Sequence, residues 1–277
     1  METLMEAPHN SLLQRIEEKV VPVGRLSAWW LGGSGFVFKT SSGAQIFVDP
    51  YLSDIVREIF GQGRDFPTPL DAREVRPDVL VSTHWHEDHL DPGSIPLIAR
   101  HSPQTRFVMP PGAMSRAVSW GVPHNRITPI GAGESIEIGA VRITATAARH
   151  DAGIAGWEAP DAVGVLLQSD GLTVYHSGDT EYDQRLRALR TQNVDVAIAC
   201  INGVTGNMDA HEAALLAWQL GASTVIPMHH YLWEGNPGGP EATLDPELFA
   251  GTYRNLGGVG RVVLPEVGQE IELKASS

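Results

Sequence analysis

The chain has a single cysteine, Cys200, among its 277 residues, so no disulfide can form within it. A buried core rather than covalent staples must hold the fold, which suits a reducing compartment. No uninterrupted apolar run approaches the roughly 20 residues that a membrane-crossing helix needs. The N-terminus has no signal-peptide pattern, because Glu2, Glu6, Arg15, Glu17, Glu18 and Lys19 interrupt any apolar stretch. Positive charge is scarce: 20 Lys and Arg stand against 33 Asp and Glu, a formal net charge of -13. So acidic a chain gains little from the phosphate attraction behind nucleic-acid binding, and DNA or RNA is not expected as a general partner. These absences predict a soluble, cytoplasmic protein with no membrane span.

The composition is globular, with 42% hydrophobic and 19% charged residues and length enough for a sizeable core. Residues 1–24 read as a leader containing a short amphipathic helix, on the spacing of Leu12, Leu13, Ile16 and Val20. Residues 25–277 read as one domain. Strands are expected at 26–31, 36–40 and 45–48, then a looser segment over 50–77 that is either a surface loop or a flap. Strand 78–83 precedes a helix near 93–101, strand 106–109, helix 112–120 and strand 127–130. Two hairpins follow, 134–138 with 140–148 and 162–168 with 172–176. Helix 182–191, strand 194–201, helix 209–220, strand 224–228, helix 245–256 and strand 261–264 then alternate. Hairpins first and helix–strand alternation after predict an α/β (α+β) fold, two sheets lying between helix layers.

Histidine is where the chemistry concentrates. The segment His84-Trp85-His86-Glu87-Asp88-His89 packs three imidazoles and two carboxylates into six residues, straight after a strand. Imidazole nitrogen and carboxylate oxygen are ligands for borderline divalent metals; the plain alternative is a solvated polar loop. More such residues follow other strands: His150, Asp179 within His176-Ser177-Gly178-Asp179-Thr180, and His229-His230 after Pro227-Met228. Each also has an ordinary reading. His150 fits a capped loop, Asp179 fits the N-cap of the next helix, and one of His229 and His230 fits a structural hydrogen-bonder. Asp49, Thr83 and His176 are candidates for orienting ligands from behind, since metal-bound imidazoles donate their other N–H to an oxygen. Asp49 equally fits a turn before Pro50. Asn202, Asn207, His176, His211 and His230 are candidates for touching substrate, or else for loop hydrogen bonding. Trp157 and Trp233 lie in glycine-rich loops and read as pocket walls. Cys200 closes an apolar run and reads as core.

The order His-x-His-x-Asp-His, lone His, Gly-Asp-Thr, final His resembles the metallo-β-lactamase superfamily. Trp30-Leu31-Gly32 to Gly35-Phe36, Val48-Asp49-Pro50-Tyr51, Tyr175 to Thr180, Ile201-Asn202-Gly203, Asn207-Met208-Asp209 and Val225 to His229 are similar to its UlaG-like branch, typified by L-ascorbate-6-phosphate lactonase. The resemblance implies a four-layer αββα sandwich with the site at one edge between the sheets. It implies two divalent metal ions, zinc or manganese, with iron also accepted by such ligands. His84, His86 and His150 would bind the first, Asp88, His89 and His229 the second, and Asp179 would bridge them. The implied activity is hydrolysis, in which a metal-bridged hydroxide attacks a small anionic ester, lactone or phosphoester while Asp88, as the catalytic residue, moves a proton. Alternatives within the fold are a phosphodiesterase or nuclease, a diiron redox protein, which would place Glu where this chain has His86, and a non-catalytic metal-binding module. The sequence allows a homo-oligomer.

Overall fold

Strand β1 (Arg25–Gly32) is buried along nearly its whole length, and its side chains divide between two cores. Leu26, Ala28 and Trp30 face one apolar cluster, and Trp29 and Leu31 the other. Such a strand must be covered on both faces, the expected consequence of period-2 alternation when apolar residues occupy both faces. The computed structural model describes residues 11–151, 153, 155–204, 206–235 and 244–275.

The first sheet continues with β2 (Gly35–Lys39), β3 (Gln45–Val48), β4 (Val79–Val81), β5 (Arg106–Met109) and β6 (Ile127–Pro129). The second holds β7 (Ser135–Ile138), β8 (Val141–Ala147), β9 (Val163–Ser169), β10 (Leu172–His176), β11 (Val196–Cys200), β12 (Thr224–Met228) and β13 (Arg261–Val262). A last strand, β14 (Glu270–Lys274), returns to the first sheet. The orders are β14-β1-β2-β3-β4-β5-β6 and β13-β12-β11-β10-β9-β8-β7, seven strands each. In both, an antiparallel portion meets a parallel one: β3 to β6 run parallel, as do β10 to β13. Parallel neighbours bring their C-terminal ends to the same edge of a sheet, and the loops carrying the candidate ligands start there.

The helices are α1 (Leu12–Glu18), α2 (Ile55–Phe60), α3 (Ile95–His101), α4 (Pro111–Ser119), α5 (Ala210–Leu220) and α6 (Pro246–Asn255). Ile95, Ile98, Ala113 and Ala117 pack on Phe47, Leu80 and Phe107, covering the outer face of the first sheet. The other cluster fills the space between the sheets and continues through the second to Ala213, Leu216, Ala217 and Phe249. The layers are therefore helix, sheet, sheet, helix. Asp209 caps α5 in a reciprocal capping box with Glu212, which fixes where the chain turns from loop to helix behind the site. Among the described residues, no helix is long and apolar enough to cross a membrane.

The structure departs from or adds to the sequence reading in four places. The helix at 182–191 is a 3-10 helix, Gln184–Gln192, with only Leu186 buried. So little apolar face leaves no packing to hold full α-turns. The segment 50–77 contains α2 rather than loop alone. The alternation Glu270-Ile271-Glu272-Leu273-Lys274 makes β14, which pairs with β1 through Ala28 and Ile271. The helix of the leader, finally, is packed onto the body of the fold. Ile16 is fully buried, and Lys39 Nζ donates to the carbonyls of Ile16 and Glu17 at 2.8 and 2.7 Å. Residues 1–10 of that leader lie outside the described residues.

Candidate metal centre

Five loops leave the strand ends and converge. Asp49 follows β3, the 84–89 loop follows β4, His150 follows β8, Asp179 follows β10 and His229 follows β12. Three groups of side chains place one ligand atom each within 4.8 Å of one another: His84, His86 and His150; His84, His89 and Asp179; Asp88, His89 and His229. The seven residues singled out by sequence thus gather in one place.

Hydrogen bonds behind the ligands decide which nitrogen of each imidazole faces inward. Asp49 Oδ1 accepts the Thr83 backbone N–H and Oδ2 accepts the Thr83 hydroxyl, both at 2.7 Å. Because that hydroxyl proton is spent on Asp49, Thr83 Oγ1 can only accept from His84 Nδ1, 3.1 Å away. Asp49 Oδ2 also accepts from His89 Nδ1 at 2.8 Å. One buried carboxylate therefore orients two histidines and turns Nε2 of each inward, where both atoms are buried without a hydrogen-bond partner in the protein. His86 Nε2 donates to the Trp157 carbonyl at 2.9 Å, and His150 Nδ1 donates to the Gly206 carbonyl at 3.1 Å. A carbonyl can only accept, so the remaining nitrogens, His86 Nδ1 and His150 Nε2, present lone pairs to each other at 3.1 Å. A cation between them removes that conflict. The donor set fits divalent metal: bare imidazole nitrogens, their other nitrogens tied down from behind, with two carboxylates beside them.

The carboxylates occupy the other half. Asp179 Oδ1 lies 3.4 Å from His89 Nε2, and Asp179 Oδ2 lies 3.4 Å from His229 Nε2 and 3.9 Å from His150 Nε2. Asp179 therefore stands between the two sets. Asn207 Nδ2 donates to Asp179 Oδ2 at 2.7 Å, and Ser34 Oγ to Oδ1 at 3.4 Å. Gly178 makes this placement possible: its φ is +57°, and a Cβ there would sit 2.7 Å from the Val163 carbonyl and 2.9 Å from Thr83 Cβ. Asp88 Oδ2 is 3.3 Å from His229 Nε2 and 3.8 Å from His89 Nε2. Asp49 and His229 both have positive φ, 46° and 63°, a conformation uncommon for residues with a side chain and held here by the surrounding bonds.

Charge is unevenly shared. Burial drives His84 well below the ordinary histidine value and His86 down to about 4, so both are neutral, the form a metal requires. Burial opposes charge on Asp179 too, but His229 and His89 hold it well below the usual carboxylate range. Burial likewise works against Asp88, yet His89 and His229 bring it down to about 2. Burial disfavours the charged form of His89 as well, and Asp179, Asp88 and Asp49 nevertheless raise it well above normal.

A pocket of about 250 Å³ opens onto this centre. His86, Asp88, Asp179 and His229 form its floor, and Val56, Phe60, Trp157, Leu232 and Trp233 are among its walls. Trp157 and Trp233 thus stand where sequence placed them. Asn202 also lines it, with a buried side-chain oxygen that has no partner in the protein.

Other candidates sit elsewhere. His176 accepts the Gly178 N–H at Nδ1 and donates from Nε2 to the Ser34 carbonyl, so neither nitrogen is free to face a ligand. Asn207 is occupied with Asp179. His230 turns from the centre and packs on the Trp30 ring at 4.8 Å, which separates it from His229. His211 is exposed and bonds Thr252 Oγ1 at 2.7 Å, joining α5 to α6. Asp183, not Asp179, caps the 3-10 helix. Cys200 is buried and its thiol is pushed up to about 12 by that burial, which removes it as a nucleophile. Sequence reasoning missed Val56, Phe60 and Leu232. Phe60 carried a usable signal, as an apolar residue at the end of an Ile-Val-Arg-Glu-Ile-Phe helical pattern.

The family model described as the beta-lactamase superfamily domain matches residues 44–230. The probable L-ascorbate-6-phosphate lactonase UlaG of Escherichia coli O127:H6 is 26% identical over 270 residues, with 83% of this chain and 76% of that protein covered. A solved metallo hydrolase from the archaeon Ignicoccus hospitalis superposes with a TM-score of 0.71 at 20% identity, covering 91% of this chain and 100% of that one. CmlA, a diiron β-hydroxylase from Streptomyces venezuelae, superposes with a TM-score of 0.64 at 15% identity, covering 92% of this chain and 55% of that one. With the matched span covering most of the chain and every segment of the metal motif inside it, the protein belongs to the metallo-β-lactamase superfamily and is a UlaG-like member of it.

Proposed function

We propose that the protein is a dinuclear hydrolase that cleaves a small ester or lactone, with phosphodiester cleavage as the second activity to test. His84, His86 and His150 would hold one ion, Asp88, His89 and His229 the other, and Asp179 both. Bound ions would acidify a water and draw charge from the carbonyl under attack. The observation that carries the reading is the enforced tautomer of four histidines: each has one nitrogen tied away and the other turned into a shared space beside two carboxylates.

The chain's own residues supply the rest. Asp88 is the ligand carboxylate with a partly exposed side chain, 18%, and it lines the pocket. It is placed to take a proton from the attacking water and pass it to the leaving group. Asn202 offers an amide at the same floor for a polar group of the substrate. The apolar walls exclude water from the reacting atoms, which strengthens every electrostatic interaction among them. A pocket above the ligands favours an enzyme over a non-catalytic metal-binding module.

The test is metal analysis of the purified protein followed by an ester and lactone screen after loading with zinc, manganese or iron. Two equivalents of metal with turnover support the reading. Metal-replete protein inert towards esters, lactones and phosphodiesters would overturn it.

A further inference from the structure

The pocket's walls carry no positive charge. All 20 Lys and Arg of the chain lie among the described residues, and none lines the pocket. The two nearest in sequence to its walls are committed elsewhere. Arg57 pairs with Glu234 at 2.6 Å. Arg64 is buried, stacks on the Tyr51 ring at 4.2 Å and donates to the carbonyls of Tyr51 and Ser53 at 3.0 and 2.6 Å. Among the described residues, the one charged wall residue outside the ligand set is Glu87, an acid. Gln62, another polar wall residue, already donates its amide to the Glu234 carbonyl at 2.9 Å. Apart from the Asn202 amide at the floor and the Tyr231 hydroxyl, the remaining lining is apolar, and the aromatic surface continues outward: Phe60 is 47% exposed and Tyr231 46% exposed.

Resting on the hydrolase reading above, we propose that the substrate is a neutral ester or lactone with an apolar acyl tail, and not a sugar phosphate or other tailed anion. The sequence-based expectation of an anionic substrate would need a counter-charge away from the metals. A phosphate or carboxylate on the tail would lose its water among Phe60, Trp157, Leu232 and Trp233 with no cation in reach, beside the carboxylate of Glu87. An alkyl or aryl tail loses only unfavourable contact with water there. Trp157 is the residue that couples tail to chemistry. Its ring meets Phe60 edge-on at 5.3 Å and lies tilted against His86 at 5.3 Å, and its carbonyl sets the His86 tautomer. A tail packed on that ring is placed directly beside the ligands.

The test uses a matched pair on the metal-loaded protein: 4-nitrophenyl hexanoate and mono-4-nitrophenyl adipate, equal in chain length and leaving group. Their tails end in methyl and in carboxylate. The hexanoate should exceed the adipate in kcat/KM by roughly 100-fold, the scale on which an unpaired buried charge is rejected. Phe60→Lys should narrow that ratio at least several-fold by adding the missing cation at the pocket mouth. Equal rates, or a preference for the adipate, would overturn the proposal. A separate binding measurement keeps the two readings distinct. Hexananilide and adipic monoanilide, amides that resist cleavage, are titrated against intrinsic tryptophan fluorescence. Tighter hexananilide binding with no ester turnover sinks the hydrolase and leaves the pocket's selectivity standing. Tighter monoanilide binding sinks the selectivity whatever the turnover.

Discussion

The metal centre at the pocket floor is assembled from strand ends and is tied down from behind, while the walls above it come from loops and the short helix α2. At the floor, His84, His89, Asp179 and Asp49 are fully or nearly fully buried and each answers to a named hydrogen-bond partner. At the walls, Phe60 and Tyr231 are about half exposed and contribute surface rather than directed bonds. The difference follows from what each region must do. Bond-making chemistry tolerates little displacement, so its residues sit on the rigid edge of two sheets. Selection among substrates asks only for shape and polarity, which loops can vary without disturbing the sheets.

The largest expected effect comes from breaking the floor alone. Asp88→Asn keeps the volume and removes the proposed proton carrier, so kcat should fall roughly 10²- to 10⁴-fold. Hexananilide binding should stay within twofold of wild type, because the walls are untouched. A kcat within tenfold of wild type would show that Asp88 does not carry the proton. Chelation of the metal should likewise abolish turnover while the tryptophan fluorescence still responds to hexananilide.

Next in size is the support beneath the floor. Asp49 does not line the pocket but orients His84 through Thr83 and His89 directly. Asp49→Ala should weaken metal affinity about 10- to 100-fold, read by competition with a chromophoric chelator. Asp49→Asn tolerates the φ of +46° and should fold like wild type. Its amide oxygen still accepts the Thr83 N–H, but an NH2 in place of Oδ2 cannot accept from the Thr83 hydroxyl or from His89 Nδ1, so affinity should fall towards that of the alanine variant. Metal affinity unchanged in both variants would remove Asp49 from any role in positioning.

The walls should answer in KM rather than kcat. Trp157→Ala removes one of the pocket's largest apolar surfaces, so the hexanoate ester's KM should rise roughly tenfold, the cost of losing about 1.4 kcal/mol or more of apolar burial. The Trp157 carbonyl that holds His86 belongs to the main chain and survives the substitution, so kcat should change little. A collapse of kcat with KM unchanged would place Trp157 with the floor and erase the distinction drawn here.

The same division explains what could be read from the sequence. The floor was legible because its chemistry needs scarce residue types at fixed spacing, and His84-x-His86-x-Asp88-His89 could hardly be mistaken. Asp49 was legible as a carboxylate after a strand. Of the walls only Trp157 and Trp233 were legible, because Val56, Phe60 and Leu232 are ordinary apolar residues whose meaning depends on which loops meet. His176 misled for a related reason. A histidine next to a Gly-Asp-Thr turn looks chemical, and only the Ser34 carbonyl and Gly178 N–H at its two nitrogens reveal a structural role. The sheets were legible wherever hairpins punctuate them. Strand β14 was missed although Glu270-Ile271-Glu272-Leu273-Lys274 alternates cleanly, since its partner β1 lies more than 200 positions away and no local turn announces it.

The smallest effect should come from the clasp that joins two walls. Arg57 on α2 pairs with Glu234, which follows the wall residues Leu232 and Trp233. Both side chains are about half exposed, so water screens the pair and its contribution is slight. The surrounding backbone is better tied: Asp65 N donates to the Leu232 carbonyl and Glu234 N to the Gly63 carbonyl, both at 2.9 Å. Glu234→Gln should therefore raise KM for the hexanoate ester only about two- to threefold and leave kcat alone. In high salt the variant and the wild type should converge, because exposed charges are screened. A variant KM well beyond tenfold, insensitive to salt, would mean that the ion pair rather than the backbone holds the wall shut. The walls would then owe their shape to charge as the floor does.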